Sequence, residues 1–346
     1  MIGPESSRRG FFLAGAAALN GCRRGSRKPR LNVYNWSNYI GPSTIANFER
    51  EHGVEVRYGV FENGDELLAK ALTGNSGWDV VFPTNHHVRP LVEYNLLAEI
   101  DHARLRRLGN LEERFAKPEW DPELRHSVPY MHTSAGVVYN AKSANIKRWS
   151  DLWDARLHGR VTMLDAQDDV LGACLVKLGH SWNSTSEREL RAAQREAIAQ
   201  KKVLRAYLNA EVRDQMVAGD VLAAEMWTTI MLPVMGDAPH LRFVFPEEGF
   251  VSYCESAVIL RESPRVELAH LFIDYLLRPE VAAECVRTQY SGPVLKGVRE
   301  LLPAALNGNP LLFPDEGTLR RGEWLRTMPP AAQRLRDRLW TEIKSA

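Results

Sequence analysis

Short apolar stretches alternate with amphipathic stretches of helical length from Leu31 onward. The pattern predicts strands at Leu31–Asn35, Val54–Val60, Trp78–Phe82, Val137–Asn140 and Arg160–Leu164. Helices are predicted at Ser43–His52 and Asp65–Leu72. Short apolar strands that are separated by helices indicate a parallel sheet covered on both faces. The fold class is therefore predicted to be α/β, and roughly 320 residues after the N-terminal segment are enough for two lobes.

Residues 1–22 are predicted to be an export signal that takes no part in the fold. Arg8 and Arg9 precede a short apolar run that ends at Leu19. This run is too short to span a bilayer, and the paired arginines favour the twin-arginine export route. The segment Leu19–Cys22 resembles a lipobox, so Cys22 is predicted to be the lipidated first residue of a protein anchored outside the cytoplasm.

The charge balance argues against a general attraction to nucleic acid. Removing residues 1–22 takes away Glu5, Arg8 and Arg9, so 44 basic and 43 acidic residues become 42 of each. A neutral protein lacks the basic footprint of a DNA- or RNA-binding domain. The basic residues within 23–30 are expected to form a solvated tether near a membrane surface. Any selectivity for a cation must therefore come from local carboxylates.

Three cysteines remain after Cys22, namely Cys174, Cys254 and Cys285. Their number is odd and they show no C-x-x-C spacing. One disulfide is possible in an oxidising compartment, and the sequence does not assign it.

Enzyme signatures are absent from the sequence. The patterns G-x-S-x-G, H-E-x-x-H, G-x-x-x-x-G-K-[ST] and G-x-G-x-x-G do not occur. The adjacent His86 and His87 could suggest a metal site, but consecutive residues do not easily share one ion. We therefore expect neither catalysis nor a metal nor a cofactor. An exported hydrolase that uses His86 or His87 with Asp165 stays an alternative.

The loops that follow the first and third predicted strands hold candidate ligand contacts. Trp36 and Tyr39 come after the first strand, and Thr84 and His86 come after the third. Loops at the carboxyl ends of strands are where α/β proteins place ligand contacts. The alternative for Trp36 and Tyr39 is that both rings cap the strand as core residues.

A cluster of acids follows the strand predicted at Arg160–Leu164. If a helix begins there, Asp165 and Asp169 share a face near its first turn because they are four residues apart. Helix capping and the helix dipole explain one aspartate at such a place. They explain three acids within five residues less well, so Asp165 and Asp169 are candidate ligands, with Asp168 as a substitute for either.

Several segments, taken in order, resemble the periplasmic polyamine-binding proteins, which are the spermidine/putrescine receptors of bacterial ABC importers. The matching segments are Leu31–Pro42, Trp78–Pro83, Trp149–Trp153, Leu276–Ala282 and Gly322–Trp324. The resemblance implies a two-lobe periplasmic binding protein fold of type II, with strands crossing near Ser134–Val137 and Tyr253–Ile259. The implied lobes are residues 31–136 with 257–298, and residues 137–256 with 299–346.

The resemblance also implies which residues hold the ligand: Trp36, Tyr39, Thr84, His86, Asp165, Asp169, Trp227, Tyr253 and Glu255. Tyr253 and Glu255 stand where the family has an aromatic residue and an aspartate that pairs with an amine. Aromatic faces and carboxylates are what ammonium groups on a methylene chain need. His86 replaces a family tyrosine and Leu325 replaces a glutamine, so the length and identity of the ligand stay open.

The function implied by the resemblance is capture of putrescine or spermidine in a cleft that closes about a hinge. The closed protein, expected to be a monomer, would deliver its ligand to an ABC permease. The alternative within the same fold is another organic cation or an amino-acid derivative.

Overall fold

The computed structural model describes residues 28–346. Its strands are β1 Arg30–Trp36, β2 Glu55–Phe61, β3 Val80–Val81, β4 Ser127–Asn140, β5 Val161–Met163, β6 Leu204–Tyr207, β7 Ala223–Trp227, β8 Leu241–Val244, β9 Phe250–Ile259, β10 Gly292–Pro293 and β11 Gly322–Trp324. Its helices are α1 Thr44–His52, α2 Gly64–Leu72, α3 Asn85–Glu93, α4 Glu113–Ala116, α5 Gln167–Lys177, α6 Glu187–Gln200, α7 Val212–Ala218, α8 Thr228–Met235, α9 Val266–Leu276, α10 Pro279–Gln289, α11 Ala304–Asn307, α12 Glu316–Leu319 and α13 Pro330–Ser345. The leader and the lipidation site at Cys22 lie outside the described residues.

Local sequence explains where the first helices begin and end. The chain leaves α1 at Gly53, whose left-handed φ of 65° lets its N–H bond back to the carbonyl of Glu49. The Asn63 side chain accepts from the N–H of Asp65 at 2.7 Å and caps the start of α2. These elements confirm the predicted helices. The third strand is shorter than predicted, with only Val80–Val81 in regular pairing.

The sheet contains two parallel halves that are joined by two long strands. The order is β2-β1-β3-β9-β4-β7-β5-β6, in which β1 to β3 pair in parallel and β5 to β7 pair in parallel. Strands β4 and β9 run antiparallel to each other and connect the halves. They are the predicted crossing strands, and an arrangement of two lobes about paired crossings is the predicted fold.

Each lobe has its own apolar core. In the first lobe, alternate residues of β1 pack on opposite faces of the sheet, with Leu31 and Val33 on one face and Tyr34 on the other. Tyr34 stacks on Trp78 with ring centroids 4.6 Å apart. The second core gathers around β5, β7 and the helices α5, α6 and α13. Both faces of the first-lobe sheet are thus covered, as the apolar strands predict.

The packing moves one predicted lobe boundary. Leu302, Leu306 and Leu312 pack in the first core, whereas Leu325 packs in the second. The chain therefore passes between the lobes after Leu312, and the predicted boundary after residue 298 is wrong. The cause is the segment that contains α11, which covers the first lobe before the chain crosses.

Cys174, Cys254 and Cys285 are buried free thiols, so no disulfide links any two of them. None of the helices within residues 28–346 has both the length and the apolarity that a membrane crossing needs.

Candidate functional site

Strand β9 carries two expected site residues on one face, at the junction of the lobes. Tyr253 and Glu255 are separated by one residue, so their side chains leave the same face. Thr84, after β3, forms an isolated antiparallel bridge with Glu255 and brings the first lobe against this strand. The Tyr253 hydroxyl donates to Oδ1 of Asp169 at 2.7 Å, and Asp169 lies in the first turn of α5. Strand β9 thus joins residues of both lobes into one cluster.

Trp36 and Tyr39 form an aromatic wall beside this cluster. Their ring centroids lie 6.3 Å apart, and Trp36 also packs on Phe61 at 4.6 Å. Nε1 of Trp36 donates to the carbonyl of Phe82 at 3.0 Å, which fixes the indole. Both side chains are half-buried and pack against the cores of the first lobe, with part of each ring open to solvent. Burial, together with the nearby Glu255 carboxyl, raises the pKa of the Tyr39 phenol, which stays neutral.

Glu255 is a buried acid, and no basic side chain within residues 28–346 pairs with it. It is 4 % exposed, and its Oε2 has no hydrogen-bond partner within residues 28–346. Burial raises the pKa of Glu255 to about 8. An ionised carboxylate at such a place is costly until a positive group arrives to pair with it. The position therefore suits a ligand that brings its own cation.

Asp169, like Glu255, is buried without an ion pair among the described residues, whereas its neighbour Asp168 has one. Asp168 pairs with Nη1 of Arg336 at 3.0 Å, whereas Asp169 is 4 % exposed and forms no ion pair within the described part of the chain. Burial raises the pKa of Asp169 to about 7, although the hydrogen bond from Tyr253 opposes the shift. Asp169 is therefore the acid of this turn that is free to meet a ligand, and Asp168 is already engaged.

Comparison with known proteins identifies the family. Residues 43–314 match the bacterial extracellular solute-binding proteins. The chain belongs to this family. It is 28% identical over 348 residues to the putrescine/cadaverine-binding protein of Pseudomonas aeruginosa, covering 96% of this chain and 98% of that protein. It is 29% identical over 322 residues to the spermidine/putrescine-binding periplasmic protein of Salmonella typhimurium, covering 91% and 92%.

Solved structures agree with the fold. The crystal structure of the TpPotD lipoprotein of Treponema pallidum superposes with a TM-score of 0.83 at 26% identity, covering 91% of this chain and 99% of that one. The type II periplasmic binding protein fold is thereby confirmed. Because the family consists of solute-binding proteins, the expectation that the chain is not an enzyme is confirmed too, and the hydrolase alternative falls.

Asp165 does not join the cluster in this solute-binding protein. Helix α5 begins at Gln167, so Asp165 lies before the helix and does not share a face with Asp169. Its side chain is exposed and pairs with Nζ of Lys344 at 2.7 Å. The expectation of a shared helical face is wrong because the helix starts two residues later than that spacing requires.

His86 lies at the start of α3, against both His87 and the β9 cluster. Its ring is 4.0 Å from the ring of His87 and 6.4 Å from that of Tyr253. Burial lowers the pKa of His86 well below its usual range, so the imidazole is neutral and does not repel a cation. Its Nδ1 has no partner within residues 28–346. No three His, Cys, Asp or Glu side chains converge as metal ligands in that range.

Trp227 and Leu325 differ in how deeply they lie in the second lobe. Trp227 ends β7, where its half-buried indole packs at the edge of the second core. Leu325 is 2 % exposed and packs inside that core, while its carbonyl accepts from Nδ2 of Asn85 at 2.6 Å. Leu325 therefore serves the second core rather than the ligand.

Sequence reasoning missed Glu225, which is fully buried on β7. Its Oε2 accepts from the N–H of Leu164 at 3.3 Å, and its Oε1 has no partner within the described residues. Burial, with Asp169 nearby, raises the pKa of Glu225 well above its usual range. The available signal was an acid in the middle of an otherwise apolar strand, where acids are rare unless paired.

Proposed function

We propose that this protein captures a polyamine, putrescine or spermidine, between its lobes and delivers it to an ABC permease. One observation carries the proposal. Glu255 and Asp169 are buried carboxyls beside aromatic side chains, and no lysine, arginine or histidine within residues 28–346 pairs with either. Buried charges in proteins are paired, so the missing partner is a cation that arrives from outside.

The chemistry of a polyamine fits these groups. One ammonium would pair with Glu255 and another with Asp169, as charge-assisted hydrogen bonds. Trp36, Tyr39 and Trp227 offer aromatic faces to the methylene stems and to the cations. Thr84 and Tyr253 add hydroxyls, and neutral His86 offers an acceptor nitrogen.

Hinge closure follows from where these groups lie. The first lobe supplies the aromatic wall and the second lobe supplies Asp169 and Trp227, while β9 crosses between them. A ligand that contacts both lobes stabilises the closed form because the open form holds only part of its contacts. The closed form is what a permease would receive.

The names of the relatives support the same ligand class, since both curated relatives reported above are polyamine-binding proteins. The structural relative is a lipoprotein, which agrees with lipidation at Cys22. We propose a lipid-anchored monomer on the outer face of the cytoplasmic membrane, tethered through residues 23–30.

Isothermal titration calorimetry tests the ligand class. The panel is putrescine, cadaverine, spermidine, agmatine and neutral amino acids. We expect one of the polyamines to bind most tightly and to raise the thermal unfolding midpoint in proportion to ligand occupancy. A neutral amino acid or a sugar that binds more tightly than every polyamine would contradict the proposal.

The panel also tests the second candidate, another organic cation or an amino-acid derivative. That candidate is favoured by Leu325, which stands where the resemblance implies a glutamine and whose side chain packs in the second core. Tighter binding of agmatine or of an amino-acid derivative than of putrescine and spermidine would select it.

A further inference from the structure

We propose that Glu225 is a further carboxyl of the ligand site, paired with Asp169. Together they form a two-acid pocket in the second lobe that takes up one ammonium group and releases a proton to solvent. The inference rests on the proposed polyamine function and goes beyond it, because Glu225 was not among the expected ligand residues.

The sheet register places Glu225 on the same face as Tyr253 and Trp227, two of the proposed ligand residues. On β4, the cross-strand partners of Tyr253, Trp227 and Glu225 are the residues at positions 133, 135 and 137. These positions alternate along β4, so their side chains and those of their partners leave the same face of the sheet. Glu225 therefore lies on the same face as Trp227 and as Tyr253, whose hydroxyl donates to Asp169.

Asp168 nearby is paired with a basic side chain of the protein, whereas Glu225 has no such partner within the described residues. Asp168 receives Arg336, but no basic side chain within residues 28–346 pairs with Glu225, and one hydrogen bond from a backbone N–H is all it accepts. A buried carboxylate with an oxygen left unpartnered is strongly disfavoured. The ammonium group of a ligand would supply the positive partner that the Glu225 carboxylate lacks.

A proton takes the place of that ammonium in the free protein. Several titratable groups lie near enough to Glu225 or Asp169 to interact electrostatically with one of them: Asp168 and Cys174 from α5, Tyr207 from β6 and Tyr253 from β9. The basic side chain of Arg336, from α13, forms its ion pair with Asp168. Burial raises the pKa of both Asp169 and Glu225, and two nearby acids do not both ionise easily. An arriving ammonium favours the ionised form of each, so the shared proton leaves to solvent.

Titration of putrescine into the wild-type protein and into Glu225→Gln tests this pocket. Measurements near pH 7 in two buffers of different ionisation enthalpy give both Kd and the number of protons released. We expect E225Q to bind about tenfold more weakly or worse, and to release fewer protons than the wild type. The ligand-free thermal midpoint of E225Q should not fall, because an amide is cheaper to bury than a carboxylate.

Asp165→Asn is the matched control, since it removes an acid from the same loop region whose partner is Lys344. We expect D165N to keep the wild-type Kd and proton count. Wild-type affinity and proton release in E225Q would overturn the inference and leave the proposed function intact.

A wild-type protein that binds no polyamine would overturn both. If E225Q does not fold, Glu225→Leu takes its place and is judged in the same way. If neither folds, Glu225→Met is measured in the same way, and wild-type affinity and proton release in that variant would overturn the inference.

Discussion

The two walls of the cleft are built from different chemistry. The aromatic wall, Trp36 and Tyr39 with His86, is uncharged, and the Trp36 indole is fixed by its hydrogen bond to the Phe82 carbonyl. The acidic wall, Asp169 and Glu255, is buried and lacks internal cations within the described residues. The aromatic wall needs no partner of opposite charge in the free protein, whereas the buried carboxyls of the acidic wall do.

This difference separates two tasks. The aromatic wall offers shape and apolar contact, which change little with pH or salt. The acidic wall decides the charge of the ligand, because a neutral molecule leaves its carboxyls without a partner. Substitutions in the acidic wall should therefore have larger and more pH-dependent effects than substitutions in the aromatic wall.

The largest effect is expected from Glu255→Ala. Loss of this carboxyl leaves a bound ammonium buried without its partner, which costs about 3–5 kcal/mol, or a loss in affinity of about 100-fold or more. Calorimetry with putrescine measures the change. Glu262→Ala is the control, since that acid contacts Asn75 and Ser76 at the surface. An E255A protein with wild-type affinity would remove Glu255 from the site.

The second effect is that stability and putrescine affinity change in opposite directions as pH rises. Glu255 has a pKa of about 8 in the folded protein against 4.5 as its ordinary value, so the folded state holds more protons between these values. The free energy of unfolding of the ligand-free protein should therefore fall as pH rises from about 4.5 to 8. Putrescine affinity should rise over the upper part of the same range, by up to about tenfold per pH unit, because binding needs the ionised form.

Thermal unfolding with and without putrescine at each pH measures both trends. Glu255→Gln should make each of them shallower, since glutamine does not titrate while Asp169 and Glu225 still do. Parallel trends, in which stability and affinity rise together with pH, would contradict the assignment of a buried acid at this position.

A smaller effect is expected from Trp36→Ala. A cation over an indole contributes about 0.5–2 kcal/mol, so putrescine affinity should fall by up to about 30-fold. Trp36→Phe should restore most of it because an aromatic face remains. The loss should be equal at pH 6 and pH 8. A loss of affinity at only one of these pH values would mean that the contribution of Trp36 depends on the protonation of the nearby acids.

The fold was largely readable from the sequence because apolar period and helix caps act locally. The strands at Leu31–Asn35 and Val54–Val60 are confirmed within a residue or two. The site was readable only in part. Glu225 escaped because a strand pattern does not reveal which buried acid lacks a partner. Asp165 was misplaced because α5 starts only at Gln167, and no side chain caps that start. Such pairings, including Asp168 with Arg336 from a helix 168 residues away, are long-range facts.

The smallest effect, Asp165→Asn, tests the division between the walls most directly. Asp165 and Asp169 are acids of one short segment, yet Asp165 pairs with Lys344 at the surface and Asp169 is buried against Tyr253. Exposed ion pairs contribute about 0–1 kcal/mol, so D165N should scarcely change the thermal midpoint and should leave putrescine affinity unchanged. Asp169→Asn, four residues on, should weaken binding at least tenfold by the same calorimetry. Equal losses in both variants would mean that Asp165 leaves Lys344 for the ligand, and the acidic wall would then extend to the surface of the second lobe.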